Sequence, residues 1–210
     1  MEIIDLSHTI TPGMPVYPGT EPPIMTPACT LDNDGFIERK LIFYSHTGTH
    51  IDAPAHILPH APTLDRMPAD RFIGPGSVID LTAVKESEID ISYLEPHENL
   101  FKTSDFILFH TGWSQFWGRG KYFRDYPVLS EEAALWIDTF GLKGVGVDMI
   151  SVDEADATTF SIHNILLERS IIIENLTHLE KLPKTGFIFS CFPLKFENAD
   201  GSPVRAVAII

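Results

Sequence analysis

The 210 residues fit one large domain or two small ones, and a composition of 44% hydrophobic and 21% charged residues is that of an ordinary soluble globular protein. A formal net charge of −14 argues against nucleic acid or an anionic membrane as partner, since both require a basic face, and the small group Arg119, Lys121 and Arg124 does not supply one. No apolar run reaches the length of about 18 residues that a membrane span needs. The opening MEIIDLSHTI is acidic and strand-like rather than a basic stretch followed by an apolar block, so no secretory leader is expected and a cytoplasmic location is the simplest inference.

In chain order, Pro12 to Pro27 reads as an ordered, proline-rich loop that carries Tyr17 between Pro15 and Pro18. Residues 37–45 read as a strand that enters the run HTGTHIDAPAH (46–56). The segment after it is broken by Pro59, Pro62 and Pro68 and is expected to be loop with a short helical turn. SVIDL (77–81) and FILFH (106–110) have the look of short buried strands, while residues 86–93 suit either a short helix or a connector. Ser130 is placed to cap a helix through Phe140, with Glu131 and Glu132 in its first turn and Gly141 to stop it. A buried strand over 144–147, a second helix capped by Ser161 and running to about Arg169, and a strand over 171–173 follow. Residues 187–192 and 204–210 read as a final hairpin with its turn around Asn198 to Pro203. Strands outnumber helices and the two are interleaved, which predicts an α/β fold in a single domain over 1–210. Cys29 and Cys191 are far apart and read as buried free thiols.

His46, His50, Asp52 and His56 share one parity. An extended chain alternates its side chains with period two, so all four can face the same way, with Gly48 leaving room for an ion. Gly48 and Pro54 argue against the helix that would also align His46 with His50, and Thr47, Thr49 and Ile51 are β-branched. Imidazoles and a carboxylate suit zinc or another first-row divalent ion. Later candidates are His163, in the first turn after Ser161, and Glu174, directly after three isoleucines, where a lone buried carboxylate would need a cation. Together these residues can hold two divalent ions if Asp52 or Glu174 bridges, leaving His56 free to move a proton.

HTGTHIDAPAH resembles the HxGTHxDxPxH signature of the metal-dependent cyclase family, whose best-known members are bacterial kynurenine formamidases (arylformamidases). DLSHTITPGMPVYPGT, HTGW at 110–113 and DGSPVRAVAI at 200–209 resemble further family segments in the family order. The resemblance implies a mixed sheet or barrel-like core with peripheral helices, the cyclase-like swivelling β/β/α fold. It implies a dinuclear amidohydrolase, zinc-dependent with manganese as the alternative, acting on a small aromatic amide in tryptophan catabolism. By position, His46, His50 and Asp52 would bind one metal, and Asp52, His163 and Glu174 the second, with His56 catalytic. Homodimers or higher oligomers are implied as well. Where the kynurenine formamidases tend to carry a tryptophan against the substrate, this chain has Tyr17, which keeps an aromatic face and adds a hydroxyl.

Other readings stand beside this one. Two histidines and a carboxylate also describe a mononuclear iron oxygenase, and ring opening of a cyclic amide, as in isatin hydrolases, is a rival within the family. A binding protein with a structural zinc would favour cysteine ligands, which the motif lacks. His163 can instead satisfy a helix end and Glu174 can pair with Arg169. Asp148 and Asp153 suit either support of a metal ligand or a capping role. Trp113, Phe116 and Trp117 suit packing, and the glycines of GLKGVG do not follow a phosphate-loop pattern.

Overall fold

The longest uninterrupted apolar stretches form the middle of one large sheet, where both faces are covered and alternation is lost. A computed structural model describes all 210 residues. Its strands are β1 (Ile3–Asp5), β2 (Ile24–Cys29), β3 (Glu38–Ile42), β4 (His50–Asp52), β5 (Ile73–Asp80), β6 (Glu88–Ile89), β7 (Phe106–His110), β8 (Val128–Leu129), β9 (Gly144–Val147), β10 (Ile171–Glu174), β11 (Phe187–Ser190), β12 (Gly201–Pro203) and β13 (Val207–Ile209). The α-helices are α1 (Leu31–Asp34), α2 (Glu98–Thr103), α3 (Glu131–Asp138) and α4 (Ser161–Leu166).

Nine strands make a sheet of order β1-β13-β11-β5-β7-β9-β10-β4-β12. The centre, β5-β7-β9-β10, is parallel, and the flanking strands are antiparallel. The sheet curls into a half-barrel with few helices outside it, the mixed α/β architecture expected. Successive residues feed two cores on its two faces: Ile79, Phe109 and Ile172 join one buried cluster, and Val78, Leu108 and Ile173 the other. No helix is long and apolar enough to cross a membrane.

Four local expectations are corrected. The histidine run is not one extended ribbon: only His50–Asp52 is strand, Gly48 turns the chain at φ +67°, and residues 54–56 form a 3-10 turn. Gly48 therefore serves backbone conformation rather than space for an ion, and a Cβ there would press on Ile10. Ser161 opens α4 but does not cap it; the Asp153 carboxylate accepts from the N–H groups of Ile162 and His163 instead. The last hairpin pairs β11 with β13, but its expected turn contains β12, which pairs with β4. Cys29 is half-buried, whereas Cys191 is fully buried.

The strands β2 and β3 form a separate antiparallel ribbon. Ile24, Phe36, Ile37, Leu41 and Ile42 on and beside it are at least half exposed. An isolated two-stranded ribbon is marginal in water.

Candidate active site

One three-residue strand does most to build the site. β4 lies between β10 and β12, and its two-residue period turns His50 and Asp52 to one face, where the register sets Glu174 opposite His50. His50 Nε2 lies 3.4 Å from Glu174 Oε2 and 3.3 Å from Asp52 Oδ1. The turn at Gly48 folds His46 back until its Nδ1 is 2.6 Å from Asp52 Oδ1. From α4, His163 Nε2 reaches to 3.7 Å from Asp52 Oδ2 and 3.5 Å from Glu174 Oε1. His56, on its 3-10 turn, brings its ring to 4.0 Å from that of His46 and 6.0 Å from that of His163, centre to centre.

All six residues singled out as ligands or proton carrier thus converge. His46, His50 and Asp52 offer ligand atoms within 4.8 Å of one another, and so do Asp52, His163 and Glu174, with Asp52 common to both sets. Glu174 does not pair with Arg169, which reaches Asp138. His50, Asp52, His163 and Glu174 are all buried.

A layer of hydrogen bonds holds the rings. Gly48 O accepts from His50 Nδ1 at 2.8 Å, and Asn175 Nδ2 donates to the same carbonyl. Tyr122 in turn donates its hydroxyl to Asn175 Oδ1, which fixes the amide's orientation. His163 Nδ1 lies 2.5 Å from Asp153 Oδ2, so Asp153 both caps α4 and orients the imidazole: the two roles left open for it are one. Asp148 has the capping role, accepting from Thr111 and Gly112 at the HTGW turn.

Burial would push Asp52 and Glu174 up, but the surrounding imidazoles hold Asp52 well below the carboxylate range and Glu174 below its own. Neighbouring carboxylates outweigh burial at the rings: Asp52 and Asp200 raise His46 to about 9, Asp52 and Glu174 raise His50 to about 10, and Asp153, Asp52 and Glu174 raise His163. His56 goes the other way, because burial dominates. The field of the two buried acids therefore favours positive charge here, carried either by imidazole protons or by divalent cations. Asp52 Oδ2 is buried without a hydrogen-bond partner. A cation is the partner that imidazole and carboxylate donors without thiolate select, so the residues fit a divalent metal.

The cluster forms the floor of a cavity of about 440 Å³, walled by Tyr17, Tyr44, Ile150 and Phe160. The Tyr17 hydroxyl donates to Ala155 O at 3.0 Å, tying the N-terminal loop to the loop before α4. Two larger clefts, of about 810 and 840 Å³, contain no histidine. His60, His97, His110 and His178 stay outside the cavity. Asp200, at its rim, escaped the sequence reading: its Oδ2 lies 3.1 Å from His46 Nε2, but an Asp-Gly pair signals only a turn.

Residues 4–154 match the family model described as "Putative cyclase". The chain belongs to that family. It is 30% identical to the kynurenine formamidase of Salinibacter ruber, over 99% of this chain and 97% of that protein. Isatin hydrolase A from Labrenzia aggregata, in a structure with benzyl benzoate, matches with a TM-score of 0.88 at 26% identity, covering 100% of this chain and 93% of that one. A structure described as a predicted metal-dependent hydrolase from Bacillus stearothermophilus matches at 0.79 and 29% identity, covering 99% and 97%. The expected class, a metal-dependent hydrolase, is borne out by this cyclase-family membership and these relatives.

Proposed function

We propose that the protein, read as one hydrolase domain over residues 1–210, cleaves the C–N bond of an aryl formamide, N-formylkynurenine or a related formanilide. The observation that carries this reading is the pair of three-residue sets joined through Asp52, with His56 beside them in an aromatic-walled cavity. His46, His50 and Asp52 would hold one divalent ion and Asp52, His163 and Glu174 a second. The donor set suits zinc, with manganese as the alternative. Such ions, when bound, polarise a carbonyl oxygen and bring the pKa of a coordinated water toward neutrality.

The chain's own residues supply the rest. Tyr17 and Phe160 offer aromatic faces to a flat substrate, and because the Tyr17 hydroxyl is engaged with Ala155, its ring is held in place. His56 takes the proton from the attacking water and returns it to the anilide nitrogen, which leaves poorly unless protonated. The buried acids Asp52 and Glu174 stay ionised and do not compete for that proton.

The test is a hydrolysis screen of the metal-loaded protein on N-formylkynurenine, formanilide and isatin, with the ions counted per chain. Turnover of the formyl amides with two ions supports the proposal. Turnover of isatin alone would move the assignment to ring opening, a reading favoured by the likeness to isatin hydrolase A. No turnover of any of the three would overturn the proposal. The apolar ribbon of β2 and β3 is the surface through which copies of the chain would associate, as a dimer or tetramer.

A further inference from the structure

Asp200 presents one oxygen to three side chains. Its Oδ2 is 3.1 Å from His46 Nε2, accepts from Ser45 Oγ at 3.3 Å, and lies 4.0 Å from His56 Nδ1. The backbone fixes this position: Gly201 stands opposite Asp52 in the β12–β4 pairing, and Ala53 N donates to Asp200 O at 2.9 Å. A Cβ at position 201 would fall 2.4 Å from the His46 ring, so the turn lies directly against that imidazole.

His46 is thereby set between two carboxylates, with Nδ1 toward buried Asp52 and Nε2 toward half-exposed Asp200. A neutral imidazole has one N–H and one lone pair. If Nδ1 turns its lone pair to a cation shared with His50 and Asp52, the proton resides on Nε2, and Asp200 is its acceptor. That excludes a further ion at His46, His56 and Asp200, whose ligand atoms also lie close together, because His46 has no second lone pair to give. The carboxylate is left with a different task, since a ligating histidine is oriented by whatever accepts its other N–H.

We propose that Asp200 is a positioning residue that fixes the tautomer and tilt of His46 and keeps His56 beside it at the cavity mouth. This rests on the reading of His46 as a ligand and His56 as the proton carrier. Asp200→Ala and Asp200→Asn test it; the side chain is 45% exposed, and both variants are expected to fold. Each is compared with the wild type for ions per chain, for Zn2+ affinity by chelator competition, and for kcat and KM on formanilide. The ion count is expected to stay the same, while Zn2+ affinity in Asp200→Ala falls about 10–100-fold. In Asp200→Asn part of that loss is restored, because the amide oxygen still accepts from Nε2. In Asp200→Ala kcat is expected to drop about tenfold or more with KM within about twofold. Loss of one ion would make Asp200 a ligand, and wild-type affinity with wild-type kcat would make it ordinary surface; either overturns the proposal. If the wild type hydrolyses no amide in the screen, the functional reading fails while the affinity comparison still decides the role of Asp200.

Discussion

Two carboxylates and three imidazoles crowd a space from which solvent is largely excluded, and each residue there is stabilised only by its neighbours. Asp52→Ala removes the acid common to both sets, and the expectation is loss of both ions after dialysis, with activity. Two retained ions per chain would contradict the shared role. His56→Ala should do the opposite: full metal content, with kcat reduced by about 10²–10⁴-fold, the usual worth of acid–base help. Unchanged turnover at full occupancy would remove His56 from the chemistry. The residues themselves are legible in the sequence because metal-type side chains concentrate in eleven positions. The reason they meet is only partly legible. Strand parity accounts for His50 and Asp52, but a left-handed glycine and a 3-10 turn deliver His46 and His56. Asp200 is not legible at all, because its neighbours in space come from a strand pairing about 150 residues away in sequence.

At the scale of elements, helix starts carry two different meanings. Ser130 caps α3 by accepting from Ala133 N at 3.0 Å and touches nothing in the site. Asp153 caps α4 across a loop and also grips His163. Ser130→Ala should therefore cost about 1 kcal/mol of stability without changing metal affinity. Asp153→Ala should cost a similar amount and weaken the ion at His163 about 10–100-fold besides. Urea unfolding combined with Zn2+ competition separates the two, and equal metal affinities would reduce Asp153 to a cap. Local signals explain why α3 is legible: a serine, two acids and a terminal glycine lie contiguous in the chain. For α4 the capping group sits eight residues before Ser161, the wrong distance for any sequence rule, so Ser161 takes the credit by proximity. The central strands β7 and β9 are legible at their observed bounds, since burial on both faces leaves unbroken apolar runs. The short strands β4 and β12 owe their existence to partners rather than composition.

Two predictions belong to the whole molecule, one on association and one on pH. If copies associate through the exposed apolar side chains of the ribbon, as proposed, light scattering should find a dimer or tetramer for the wild type and a monomer for Ile24→Lys with Leu41→Glu, and a monomeric wild type would remove the ribbon from that role. The pH dependence turns on His8, which stacks on Trp117 with ring centres 3.8 Å apart and has a buried Nε2 without a hydrogen-bond partner. Burial, aided by His178, lowers its pKa from 6.5 to about 4. Above pH 6.5 both folded and unfolded chains hold His8 neutral, and its titration contributes no difference. As pH falls from 6.5 toward 4 the unfolded chain takes up a proton that the folded chain refuses, so folding stability declines; below about 4 both are protonated and the decline stops. After allowance for partial exposure the loss is about 2 kcal/mol. His8→Phe keeps the stack on Trp117 and removes the titration, while the carboxylate cluster titrates alike in both proteins and cancels in the comparison. Urea unfolding of the chelator-treated proteins at pH 7.5 and 4.5 should show the wild type losing about 2 kcal/mol more than the variant. Parallel losses would mean that His8 accepts its proton in the folded state, and that its buried nitrogen finds a partner when charged.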